Sequence, residues 1–268
     1  MENHNLKDKL DYFLQQSINI ANDVGSFILE ERKSFSTSDV KYKAKNDLVS
    51  YVDTEAEKMI VSRLSEVFPE AGFITEEKTI DKVGDEYNWI IDPLDGTTNF
   101  IHGLPLYSTC IGLMKGNEVL LGVVYEINKD ECFYATKGNG AFCNGQPIKV
   151  TPAKSIDESL FATGFPIHNF EKLDQYLAIL NQLMKNAHGL RRLGSAAVDL
   201  AYVACGRCEG FFEYNLNPWD VAAGALIVEE AGGTVTDFGG GDDHIFGREI
   251  IAAGPVHQEL LELVKKFW

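Results

Sequence analysis

The sequence predicts an α+β chain built from layered sheets and helices. Three observations point there. Apolar residues recur at helical spacing near the start, a run of strand-like segments fills 107–150, and strands alternate with helices from 151 onward. At 268 residues the chain can bury an ample core, and it reads as a single domain with an N-terminal half, 1–150, and a C-terminal half, 151–268.

Leu6, Leu10, Phe13, Leu14, Ile18, Ala21, Val24 and Ile28 form the apolar face of a long first helix, followed by a charged segment with Lys41, Lys43 and Lys45. Thr54 with Glu57 three residues on reads as a capping box for a second helix through Val67, stopped by Pro69. Asp53 belongs to that helix start, whereas Asp47 has no capping role. Phe73 to Thr75 reads as a short strand ending in two acids, Glu76 and Glu77. Trp89-Ile90-Ile91 reads as a buried strand that Asp92 ends and Pro93 keeps extended. Gly96 permits a tight turn, and Thr97, Thr98 and Asn99 are candidate N-caps for a helix.

Ser108–Met114, Glu118–Glu126 and Glu131–Thr136, separated by Lys-Gly-Asn and Asn-Lys-Asp turns, predict an antiparallel meander. Asn139-Gly140 and Asn144-Gly145 add hairpin turns before Ile148. In the second half, strands are expected at Leu160–Thr163, Gly210–Tyr214, Thr234–Asp237 and Ile250–Ala253. Helices are expected at Leu173–Met184, Ala196–Ala204, Val221–Ala231 and Leu260–Phe267. Pro218 precedes the third of these and Gly232-Gly233 follows it.

The net charge of −16 argues against nucleic acid or an anionic membrane as the main partner. It also repels any phosphate substrate unless bound divalent cations offset it locally. Five scattered cysteines suit reduced thiols in a cytoplasm, and Cys205-Gly206-Arg207-Cys208, with no second pair or nearby His, reads as coincidence at a helix end. The N-terminus carries no signal-peptide pattern, and no apolar run approaches membrane-spanning length. A cytoplasmic protein is expected.

Asp92 and Asp95 therefore sit where a strand stops and a helix begins. Carboxylates clustered without a cation are costly, and oxygen-only ligands suit a hard metal such as Mg²⁺. A helix N-terminus beside them offers N–H groups to an anion. A metal and an anion in one turn point to phosphate chemistry. The spacing of Asp92 and Asp95 is not the Asp-x-Asp of haloacid-dehalogenase-type phosphatases, and no P-loop motif is present.

Glu76-Glu77, the block Trp89-Ile-Ile-Asp92-Pro-Leu-Asp95-Gly96-Thr97-Thr98-Asn99-Phe100, then Pro218-Trp219-Asp220 and Gly232-Gly233 together resemble the inositol monophosphatase family, from the first helix to the last. The resemblance implies an αβαβα sandwich and a Mg²⁺-dependent, lithium-sensitive phosphatase, commonly a homodimer, with two or three ions per site. It makes Glu76, Asp92 and the Leu94 carbonyl ligands of a first metal, and Asp92, Asp95 and Asp220 ligands of a second. It assigns Asp47, Thr97 and Glu76 to the attacking water. Asp95, Gly96, Thr97, Gly194, Ser195, Ala196 and Asp220 fall on its substrate and phosphate contacts, and Glu213 on the acid that holds inositol hydroxyls. Thr97-Thr98-Asn99 favours the inositol-phosphatase branch, which implies hydrolysis of inositol 1-phosphate. The alternatives are a broader phosphatase acting on fructose 1,6-bisphosphate or a nucleotide 2′-phosphate such as that of NADP, with Arg191 or Arg192 on the second anion, and a non-catalytic regulatory protein keeping the fold.

Overall fold

The computed structural model describes residues 2–36, 41–44, 47–166 and 169–268, with the side chains of 2–8, 41–44 and 47–49 left aside. Lys45, and the side chains of Leu6, Lys41, Lys43 and Asp47, therefore lie outside the described residues. Helix α1 (Glu2–Ser34) is followed by a hairpin of β1 (Lys41–Ala44) and β2 (Asp47–Val49), then helix α2 (Tyr51–Val67). The α2 start differs from expectation. Its capping box is Ser50 with Asp53 rather than Thr54 with Glu57, so the helix begins earlier and Glu57 is free for other work.

The larger sheet has the order β3-β4-β5-β6-β7-β8-β9, with β3 (Gly72–Thr75), β4 (Tyr87–Asp95), β5 (Ser108–Lys115), β6 (Glu118–Glu126), β7 (Glu131–Thr136), β8 (Ala141–Cys143) and β9 (Gln146–Ile148). Only β3 and β4 pair in parallel; the rest is the expected antiparallel meander. Strand β4 does not stop at Asp92. It continues to Asp95 through a register shift that accommodates Pro93, and the Pro93 carbonyl accepts from Thr109 Oγ1 at 2.9 Å. Gly96, at φ 100°, is the N-cap of the short α3 (Thr97–His102), so Thr97 is the first helical residue and not its cap.

The smaller sheet has the order β11-β10-β12-β14-β13, from β10 (Leu160–Thr163), β11 (Gly189–Arg191), β12 (Gly210–Tyr214), β13 (Thr234–Thr236) and β14 (Glu249–Ala253). Helices α4 (Leu173–Asn186) and α7 (His257–Phe267) cover its outer face, and α5 (Ala196–Ala204) and α6 (Pro218–Glu230) fill the space between the sheets. With α1 and α2 outside the larger sheet, the layers run αβαβα.

Strand alternation builds the three cores. Trp89 and Ile91 face α1 and α2 while Ile90 faces α5 and α6; Phe211 and Ala252 face the same middle helices while Phe212 and Ile251 face α4 and α7. The middle position explains why α5 is buried throughout and α6 from Val221 to Val228. It also requires Gly122, because a Cβ there would lie 2.6 Å from the Ala223 carbonyl of α6. Among the described residues no helix is long and apolar enough to cross a membrane.

Candidate active site

Four acids arrive from three places in the chain. Glu76 follows β3, its N–H donating to the Ile91 carbonyl of β4 at 3.3 Å. Asp92 and Asp95 come from the bulged end of β4, and Asp220 from the first turn of α6, where it accepts from the Asn217 N–H at 2.7 Å. Glu76, Asp95 and Asp220 line a cleft of about 500 Å³ together with Ser195, Asp199 and Glu213. Asp92 is 1% exposed; its Oδ1 accepts from the Leu94 N–H at 2.9 Å, and it shares a hydrogen bond with Glu76.

The start of α5 closes the other side. Ser195 caps it, accepting from the Val198 N–H at 3.3 Å. Asp95 Oδ2 accepts from Ser195 Oγ at 2.6 Å and from the Ala197 N–H at 2.8 Å, so one N–H of this helix end already serves a carboxylate. Asn99 of α3 donates to the Leu106 and Leu193 carbonyls, both at 2.8 Å, and a Cβ on Gly96 would lie 3.3 Å from the Gly194 carbonyl. These contacts bring the α3 and α5 starts together.

Thr97 forms the remaining link. Its Oγ1 is 2.8 Å from Asp53 Oδ1 and 3.0 Å from the Leu94 carbonyl. A hydroxyl has one proton, and the nearer carboxylate is the stronger acceptor. This corrects the assignment of Asp47 as the acid behind Thr97. Asp53 occupies that place because the first turn of α2 faces the first turn of α3, whereas Asp47 lies on β2 before the helix begins.

The inositol monophosphatase family model matches residues 9–268. The chain belongs to the inositol monophosphatase family. It is similar to an inositol-1-monophosphatase of Mesorhizobium japonicum, 40% identical over 229 residues that cover 85% of this chain and 86% of that one. It is equally similar to the Nus factor SuhB of Escherichia coli, 39% identical over 243 residues that cover 90% and 91%. The crystal structure of the extragenic suppressor protein suhB from Bartonella henselae superposes with a TM-score of 0.90 at 38% identity, covering 95% of this chain and 98% of that one.

At this site the acids raise one another's affinity for protons. Asp92 is pushed well above the usual carboxylate range, first by burial and then by the charges of Glu76, Asp95 and Asp220. Asp220 is raised by burial and by Asp95 and Glu76. Burial lifts Asp95 to about 6 against the pull of Ser195, Ala197 and Arg192. Glu213 reaches about 8 through burial, against the pull of Arg192 and with the added push of Asp220 and Asp95. Gly164 makes room for Glu213, since a Cβ there would overlap its carboxyl group.

Two placements refine the reading of the arginine pair. Arg191 lies on β11, exposed, donating to the Leu190 carbonyl at 3.0 Å, while Arg192 lines the cleft with its guanidinium 5.9 Å from the Phe165 ring. Sequence reasoning missed Asp199, buried at the fourth position of α5 with Oδ1 unpartnered. Nothing in its local pattern distinguishes it from a polar helix residue. It missed Asp53 for a different reason: the same side chain caps a helix.

Proposed function

We propose that this chain is a Mg²⁺-dependent phosphatase that hydrolyses the phosphate monoester of a small polyol, with inositol 1-phosphate the preferred substrate, by direct attack of water. The observation that carries the reading is the Asp53–Thr97 hydrogen bond set beside the Glu76, Asp92, Asp95 and Asp220 carboxylates. All four acids are hard oxygen donors, and two of them are pushed well upward by burial and then by one another's charge, so the residues fit divalent cations. Glu76, Asp92 and the Leu94 carbonyl would hold one ion, and Asp92, Asp95 and Asp220 another. Bound there, such ions supply neutralisation of phosphate charge and acidification of water.

The chain's own groups do the rest. Asp53 accepts the Thr97 proton, which leaves Thr97 lone pairs to accept a hydrogen bond from the attacking water. Glu76 takes that water's proton as its oxygen bonds to phosphorus and the ester P–O bond breaks, and the departing alkoxide oxygen takes a proton from solvent water to leave as the free polyol. The N–H groups of Gly194, Ser195 and Ala196, at the start of α5, face the phosphate oxygens. Glu213 meets the substrate hydroxyls, and Arg192 is placed for a second anion on bulkier substrates.

The reading includes a cytoplasmic homodimer and inhibition by lithium, both carried by the family. Phosphate release from inositol 1-phosphate with Mg²⁺, against the same mixture with EDTA, tests it. Turnover with Mg²⁺ alone is expected; full turnover in metal-free buffer would overturn the two-ion scheme. The equal similarity to a relative named Nus factor SuhB favours a second reading, in which the chain acts by binding a protein or RNA partner. Catalytic silence with intact folding and metal binding would select it.

A further inference from the structure

Glu57 stands one helical turn after Asp53 on α2 and is completely buried. It accepts from Thr75 Oγ1 at 3.0 Å, the Glu77 N–H at 2.7 Å, the Thr79 N–H at 2.8 Å and Thr79 Oγ1 at 2.7 Å. All four bonds come from the segment that carries Glu76. Between the two N–H donors lies Lys78, a non-glycine residue at φ 54°, a conformation that persists only where its surroundings hold it. A left-handed residue between two N–H groups aimed at one carboxylate makes an anion-binding concavity, and here the anion is internal.

We infer that Glu57 is a positioning residue that fixes the Glu76 carboxylate for cation binding, an assignment that rests on the phosphatase reading. Neither of the two groups placed on the attacking water is anchored by its own element alone. Thr97 opens a six-residue helix and Glu76 sits in a turn after a four-residue strand. Helix α2 holds both: Asp53 grips Thr97, and Glu57 grips the turn bearing Glu76. One rigid helix thus sets the spacing between them, with its two acids one turn apart on the same face.

The test reads metal binding without substrate or turnover. Metal-free wild type, Glu57→Gln and Thr79→Val are titrated with Mg²⁺ by calorimetry, and their melting temperatures are recorded. Glu57→Gln places an amide donor against donors and should weaken Mg²⁺ binding by roughly 10–100-fold, the scale seen when a group supporting a metal ligand is lost. Thr79→Val removes one bond, should weaken binding by a smaller factor, and serves if Glu57→Gln does not fold. A folded variant with lowered melting temperature but wild-type Mg²⁺ affinity would make Glu57 merely structural and overturn the inference alone. Wild-type protein that takes up no Mg²⁺ would overturn both the inference and the phosphatase reading.

Discussion

Both oxygens of Asp53 are engaged: Oδ2 accepts from the Ser50 N–H and hydroxyl at 2.9 and 2.6 Å, and Oδ1 accepts from Thr97. One carboxylate therefore starts a helix and orients a hydroxyl at the candidate site. Asp53→Asn and Thr97→Ala should each lower kcat by roughly 10²–10⁴-fold, the scale of a positioned general base. The double variant should lose little more than either single one, because the pair works as a unit; additive losses in a kinetic cycle would separate them. The Asp47 assignment failed on this point, since a capping role was taken to exhaust what Asp53 does, and only the fold places α2 against α3. Asp92, Asp95, Asp220 and Glu76 stand out in the sequence because each lies where one element closes or the next opens. Glu213 supplies a pH prediction. Its folded value of about 8 exceeds the ordinary 4.5, so the folded chain keeps a proton that the unfolded chain has released between those limits. The resulting stability is present below about 4.5 and is lost as pH rises to about 8. Chemical denaturation of metal-free protein should show this decline, and Glu213→Gln should flatten it. On substrates, the same variant should lose about 1–3 kcal/mol of kcat/KM with inositol 1-phosphate and spare fructose 1,6-bisphosphate.

Among the elements, long ones with a clear period were legible. The meander, α1 and α6 with its apolar run from Val221 to Val228 follow from strand alternation, helical spacing and Pro218 with Gly232-Gly233 at its ends. Four of the three-residue strands, β2, β8, β9 and β11, were not, because three positions cannot establish a period; β13 was marked off by Gly232-Gly233 before it. The extension of β4 past Asp92 was also hidden, since a bulge lets Pro93 stay in a strand that the local rule terminates. Element packing gives its own prediction at Gly122. Adding a methyl group there drives it toward the Ala223 carbonyl, and α6 has no free direction to move between two sheets. Gly122→Ala should cost about 1–3 kcal/mol in urea unfolding. Because α6 also carries Asp220, Mg²⁺ affinity should fall in the same variant, whereas an exposed substitution of equal destabilisation should leave it unchanged.

For the whole molecule, net charge and site charge act in the same direction. A chain at −16 that gathers Glu76, Asp92, Asp95 and Asp220 at one site gains stability from any bound divalent cation. Mg²⁺ should raise the melting temperature and EDTA should reverse the rise. Asp92→Asn should abolish both that rise and turnover while making the metal-free protein more heat-stable, since it removes a buried charge that its neighbours repel. A metal-free Asp92→Asn protein that melts below wild type would contradict the repulsion. The layer order, with α5 and α6 enclosed by both sheets, has a further consequence for hydrogen exchange. Binding regions usually belong to the least protected part of a protein, because they open locally. Here the helices that bear Asp220 and the Ser195 cap cannot open unless the two sheets part. Their amide protons should therefore be among the slowest in the chain to exchange, a short distance from the water that does the chemistry.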